Sequence, residues 1–158
     1  MGRQSRVLLD NGIYHVMTRG NRKQDVFLEK LDYLKYLEIL SHYKNKHRFK
    51  LYAYCLMPNH IHLVLQVESG ITLSLSMRDL NRSYANWFNE KYNKVGHLWQ
   101  DRYRCKLIEK DRYMLECLEY VEFNPIRANL CKTLIEYPFT SWQERYGHKK
   151  NKLIDSLD

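Results

Sequence analysis

The sequence predicts an α+β domain: a ferredoxin-like βαββαβ unit with an antiparallel sheet, followed by an additional C-terminal helix carrying Tyr120. Three observations predict it. Apolar alternation and helical spacing follow one another in the order strand, helix, strand, strand, helix, strand, helix. The second and third strands are separated only by Pro58-Asn59, a turn short enough to demand an antiparallel hairpin. Two long apolar stripes of helical period are each bounded by breaking or basic segments. Other α+β layouts fit the same order.

The first strand is read from GIYHVMT (12–18), rich in β-branched and aromatic residues, running into the basic turn Arg19-Gly20-Asn21-Arg22. Apolar residues at 31, 34, 37 and 40, with 33, 36 and 43 beside them, predict a helix over 31–43, closed by the basic segment 44–50. LYAYCLM (51–57) and HIHLVLQV (60–67) form the hairpin. After Gly70, the residues Leu73, Met77, Leu80, Tyr84, Trp87 and Phe88 mark a second helix over 72–92. Over 103–109, Tyr103, Cys105 and Leu107 alternate with Arg102, Arg104 and Lys106, a half-buried strand with a basic outer face. Asp111 is the expected N-cap of a third helix striped by Met114, Leu118 and Val121. Pro125 ends or kinks that helix, because its ring removes an intrahelical donor and disfavours helical geometry at Asn124.

The 158 residues suit one domain, expected over 1–147, with a polar, loosely held tail over 148–158. Lys and Arg total 26 against 18 Asp and Glu, a formal charge of +8 spread along the chain. That surplus favours polyanionic partners, and the 13 tyrosines and three tryptophans add surface on which unpaired bases stack. Charge alone leaves acidic lipid, RNA and DNA open. The four cysteines form no CxxC pair, so a zinc ribbon is excluded and reduced thiols are expected. No stretch approaches the ~20 apolar residues of a membrane span, and the N-terminal apolar run is too short for a signal peptide. A soluble, cytoplasmic protein with no membrane partner is the expectation.

His60 and His62 are two apart on one strand, so both imidazoles point to the same side and can converge on one divalent ion. Histidines beside a sheet also serve as ordinary hydrogen-bonding groups. Glu116 and Asn124 lie one turn before and after Tyr120, and either offers an oxygen ligand if the helix is regular. Spacing does not single Tyr120 out from the other tyrosines, and Asn124 could equally cap the segment before Pro125. Phosphate contacts are expected from Arg19, Arg22, Lys23, Arg102, Arg104 and Lys106. His15, on the first strand, is a candidate neighbour of the histidine pair, with a structural hydrogen bond as its expected role.

Three segments go further. YHVMTRGNRKQDVF (14–27), AYCLMPNHIHLVL (53–65) and GHLWQDRYRCKLIEKDRYMLECLEYVEFNPIRANL (96–130), with the weaker YPFTSW (137–142), resemble in order and spacing the single-tyrosine HUH transposases. Within that family the resemblance is to the REP-associated tyrosine transposase branch. It implies that His60 and His62 bind Mg²⁺ or Mn²⁺ and that Tyr120, before the Asn124-Pro125 dipeptide, is the nucleophile. It also implies that Asn124, where related transposases carry glutamine, completes the metal site.

The implied chemistry is attack by tyrosine on a phosphodiester of single-stranded, hairpin-forming DNA. The products are a 5′-phosphotyrosine and a free 3′-hydroxyl, and the ester conserves the energy needed for rejoining. A tyrosine phenol is mostly neutral near pH 7, its ordinary pKa being about 10, so this attack needs a proton acceptor that the sequence does not identify. The expected assembly is a monomer or a homodimer. Competing readings are a non-catalytic nucleic-acid binder, an HxH metallohydrolase using water, and a replication-initiator or relaxase nuclease. The chain lacks an RNP1-type run, which counts against the first.

Overall fold

Four strands form where the alternation requires them: β1 (Ile13–Arg19), β2 (Lys50–Met57), β3 (His60–Gln66) and β4 (Arg104–Ile108). The computed structural model describes residues 8–110, 112–147 and 152–157. The strands pair antiparallel throughout in the order β2-β3-β1-β4, as a ferredoxin-like βαββαβ unit requires. The helices are α1 (Lys30–His47), α2 (Gly70–Tyr92), α3 (Arg112–Glu122) and the short α4 (Asn124–Arg127) and α5 (Trp142–Arg145). Asp111, the expected cap of α3, lies outside the described residues.

Successive side chains alternate across a strand, so the sheet sorts its residues onto two faces. Tyr14, Val16, Ile61, Leu63 and Leu65 go to one face, beneath Tyr36 and Leu40 of α1 and Leu73, Leu80 and Tyr84 of α2. Ile13, Ala53, Cys55 and Val64 go to the other, beneath Met114, Leu118 and Val121 of α3. The two crossover helices therefore share a face, and the additional helix packs its stripe on the opposite one. Each fully buried apolar side chain contributes roughly 1.5–3 kcal/mol. Three of them seat an 11-residue helix that is too short to be stable alone.

The start of α1 departs from the expected stripe, although Tyr33, Tyr36, Leu37, Leu40 and Tyr43 all pack on the core. Leu31 and Leu34 are exposed, at 62% and 44%, while Asp32, Tyr36 and Leu40 are buried. The cause is a capping box between Glu29 and Asp32 at the helix start. The Asp32 carboxylate accepts the N–H groups of Leu28 and Glu29 at 2.8 and 3.2 Å. It also accepts the Lys91 ammonium and the Tyr92 hydroxyl of α2, both at 2.6 Å. Burial raises its pKa, but these donors outweigh burial and hold the carboxyl below its usual range. A buried anchor, rather than the leucine spacing, sets the first turn of α1.

Two other expectations change. Leu107 stands half-exposed on the edge strand β4, and Ile108 packs into the α3-side cluster instead. The tail expected to be loosely held is tied down over 152–157. The Leu51 N–H donates to the Asp155 carboxylate at 2.9 Å and the Asp155 N–H to the Leu51 carbonyl at 2.7 Å. The buried Glu144 carboxylate accepts the N–H groups of Leu153 and Ile154 and the Tyr54 hydroxyl. Phe139 to Ser141 also bond to β2, so its outer edge is covered rather than left open to another chain. Residues 148–151 and 158 lie outside the described residues.

Candidate catalytic and metal-binding site

Ile61, Leu63 and Leu65 must enter the α1/α2 core, so the period of two sends His60, His62 and Val64 to the α3 side. The rings of His60 and His62 lie 5.0 Å apart, centroid to centroid, and nearly perpendicular. His62 is only 4% exposed and His60 half-buried. Each has its Nδ1 engaged: that of His60 with the Asn59 Oδ1 at 2.7 Å, that of His62 with the His15 Nε2 at 2.8 Å. This leaves Nε2 of both imidazoles for another partner, and a hydrogen bond at the far nitrogen is how a metal-ligating histidine is normally oriented.

The electrostatics point the same way. Burial first, then the charge of Arg19, lowers the His60 pKa to about 4. Burial, helped by His60, His15, Arg127 and Arg19, lowers that of His62 to about 3. His15 is lowered by burial and by Lys106. At neutral pH all three rings are uncharged, the form that can donate a lone pair to a cation.

Tyr120 flanks the buried stripe of α3 and remains 51% exposed. Its ring stands edge-on to His15 and His62, with centroids 6.2 and 6.4 Å away. The Arg127 guanidinium lies 4.1 Å over the ring, and its Nη2 donates to the Tyr120 carbonyl. Sequence reasoning missed Arg127. The available signal was its position seven residues after Tyr120, two turns along the same helical flank.

That flank survives the helix break. Phe123, at φ −90° and ψ 3°, separates α3 from α4, but its N–H still bonds to the Glu119 carbonyl at 2.9 Å, and Pro125 enters the first turn of α4. Asn124 therefore begins α4 one turn beyond Tyr120, half-buried. Among the described residues its carboxamide makes no hydrogen bond with either histidine. Glu116 is exposed one turn before Tyr120. No group of three or more His, Cys, Asp or Glu suited to a metal ion occurs among the described residues. The donor set that fits a cation is thus the two histidine Nε2 atoms, with a carboxamide or other oxygen needed to complete it.

Three of the six basic residues lie on this face. Cross-strand pairing sets Arg19 opposite His60, Lys106 opposite His15 and Arg104 opposite Met17. The expected outer face of β4 is therefore the face that carries the histidines. Arg22 and Lys23 are exposed in the turn Asn21–Lys23, which the Asn59 amide joins by donating to the Lys23 carbonyl at 3.3 Å. Gly20 opens that turn. A Cβ there would meet the Gln24 carbonyl oxygen at 2.3 Å, so no larger residue fits. Arg102, in the loop before β4, lines a recess with Met17, Arg19 and Arg104.

The chain matches the family model of IS200-like transposases over residues 9–124. A Haemophilus influenzae protein assigned as a REP-associated tyrosine transposase is 25% identical over 118 residues, 68% of this chain. The match spans 64% of that relative, less than two thirds of its length. A solved REP-associated tyrosine transposase bound to a REP hairpin superposes with a TM-score of 0.77 at 17% identity. That match covers 100% of this chain and 93% of the other. A tRNA(His) guanylyltransferase from Saccharomyces cerevisiae also superposes, with a TM-score of 0.56 at 12% identity over 81% of this chain and 64% of that one. At such identities the structural likeness speaks to the fold, which hosts more than one chemistry. No helix of the described residues is long and apolar enough to cross a membrane.

Proposed function

The chain belongs to the IS200-like transposase family, and from that premise we propose that it cleaves and rejoins single-stranded DNA with Tyr120 as the nucleophile. The observation that carries the proposal is the stand of the Tyr120 ring over the His15–His62 pair, on the face to which both metal-ligand candidates point. The substrate is a strand folded into a hairpin, by analogy with the REP hairpin bound to the solved relative. The catalytic unit is residues 1–147, acting as a monomer or homodimer.

In the forward step the Tyr120 Oη bonds to phosphorus as the bond from phosphorus to the 3′ oxygen breaks. The 5′-phosphate stays on the tyrosine, the phenol proton leaves to solvent, and the departing 3′ oxygen takes a proton from solvent to become the 3′-hydroxyl of the released strand. In the reverse step a 3′-hydroxyl attacks the phosphotyrosine and frees Tyr120, so joining needs no nucleotide cofactor. His60 and His62, with Asn124 as the proposed third ligand, would hold Mg²⁺ or Mn²⁺. When bound, such a cation supplies Lewis-acid stabilisation of a non-bridging phosphate oxygen. His15 fixes the His62 ring through its Nδ1. Arg127 clamps the phenol between its guanidinium and the sheet, a contact worth roughly 0.5–2 kcal/mol. Arg19, Arg104 and Lys106 draw the phosphate backbone onto the face.

Incubation with a hairpin oligonucleotide and Mn²⁺ is expected to yield a cut strand and a denaturant-resistant protein–DNA adduct. Chelation, or His60→Ala with His62→Ala, is expected to remove both products. Cutting that persists without adduct would instead indicate a hydrolase using water.

A further inference from the structure

We propose that the cavity between α3 and α5 binds a small primary alkylammonium ion, held at the Glu122 carboxylate and covered by neighbouring aromatic rings. The cavity has a volume of about 430 Å³ and takes no part in the strand-transfer reading. Phe123, Trp142 and Tyr146 line it together with leucines of α3 and Leu157. Its charged groups are Glu119, Glu122 and Arg145. Apolar walls with a few convergent polar groups are the usual makeup of a small-molecule site, and the volume suits one.

The choice of a cation comes from Glu122. Its side chain is 3% exposed, and its Oε1 accepts the Arg145 Nε–H at 2.7 Å. Arg145 is engaged there and at the Tyr52 carbonyl, to which its Nη2 donates. The other carboxylate oxygen, Oε2, is buried without a hydrogen-bond partner among the described residues. A buried acceptor left unpaired is costly, the more so on a charged group, and a charged donor relieves it best. Around the cavity two carboxylates face one guanidinium, so a negative charge is left over in a chain of formal charge +8. Glu119 and Glu122 also lie in the last turn of α3, where the helix dipole favours a cation.

The walls define the rest of the occupant. An ammonium carries three donors and no acceptor, which suits Oε2 of Glu122 and the exposed Glu119 carboxylate one turn before it. The Trp142 and Tyr146 rings, with centroids 5.4 Å apart and planes tilted by 44°, offer π-faces to the cation and apolar cover to an alkyl stem. An anionic ligand would meet both glutamates, so the cavity disfavours the DNA backbone that the histidine face attracts. Occupancy adds a tie between α3 and α5 beyond the Glu122–Arg145 pair, on the helix that carries Tyr120.

The test is isothermal titration of the full chain in about 0.15 M KCl, which screens pairing with exposed carboxylates. Three probes are compared: n-butylamine, its neutral isostere n-butanol, and Nα-acetyl-lysine amide. Butylamine is expected to bind one-to-one and roughly tenfold more tightly than butanol, the margin of a hydrogen bond to a charged group. Glu122→Gln is expected to remove that margin. Glu119→Gln, at an exposed position where folding is not at stake, is expected to weaken butylamine about threefold, whereas the exposed Glu38→Gln on α1 leaves it unchanged. In proton–nitrogen correlation spectra of the unmutated chain, butylamine is expected to shift the Trp142 indole signal and to leave those of Trp87 and Trp99 in place. Equal binding of butylamine and butanol overturns the site, as does a shift confined to Trp87 or Trp99. Absence of saturable binding up to about 10 mM overturns it as well. Tighter binding of Nα-acetyl-lysine amide than of butylamine overturns the choice of a free amine in favour of a protein lysine.

Discussion

At the residue scale, the account turns on which nitrogen each histidine offers. His15 does for His62 what Asn59 does for His60: it engages Nδ1 and leaves Nε2 for another partner. Replacing His15 with Ala is expected to weaken Mn²⁺ binding roughly 10- to 100-fold by isothermal titration, the usual cost of losing such an orienting partner. Unchanged affinity would remove His15 from the site. The same burial makes a pH prediction. The unfolded chain protonates its histidines near pH 6.5, while the folded pair resists until about pH 4 and 3. Between these values the unfolded state binds more protons, so the metal-free protein loses stability as pH falls from about 6.5 toward 4. Thermal melts across that window should fall more steeply for the parent than for His62→Asn, and parallel slopes would contradict the assignment. The pair was legible in the sequence because two residues on a strand share a face. Its partner His15 lies 47 residues away on a neighbouring strand, and only register brings it within 2.8 Å.

At the scale of elements, α3 is the carrier of the nucleophile and its seat is testable. Leu118 is buried between α3 and the sheet. Leu118→Ala is expected to cost about 2–5 kcal/mol in urea unfolding, the range for a core leucine truncated to alanine. Adduct formation should weaken further than stability alone requires, because Tyr120 rides on the same helix. A cost near zero would mean that α3 is not docked as described. The α3 stripe and the hairpin at Pro58-Asn59 were legible as local properties of spacing and turn chemistry, and so was a break near Pro125, although it falls at Phe123 and Asn124 opens α4. The start of α1 was not. Leu31 and Leu34 looked buried along with Leu37 and Leu40, yet they are exposed, and the buried Asp32, held by Lys91 and Tyr92, takes the inward position of the first turn. Nothing local in the sequence announces that a carboxylate 59 residues from its lysine will be the anchor.

At the scale of the whole molecule, the sheet separates two tasks. One face, covered by α1 and α2, holds the larger core. The other gathers the neutral histidines, Tyr120 and a rim of arginine and lysine beneath one helix. The formal charge of +8 suggested a broad field, and Arg19, Arg104 and Lys106 concentrate part of it beside the histidines. The βαββαβ order was legible in full, whereas the placement of α3 on the opposite face followed only from the two-sided core. The central claim, that Tyr120 attacks phosphorus beside His60 and His62, has one direct measurement. Protein incubated with a hairpin oligonucleotide and Mn²⁺ is digested, and the nucleotide-bearing peptide is sequenced by mass spectrometry. The account predicts a single adduct on Tyr120, absent from Tyr120→Phe although that variant still binds the hairpin. An adduct on another tyrosine, or cleavage that survives in Tyr120→Phe, would contradict it.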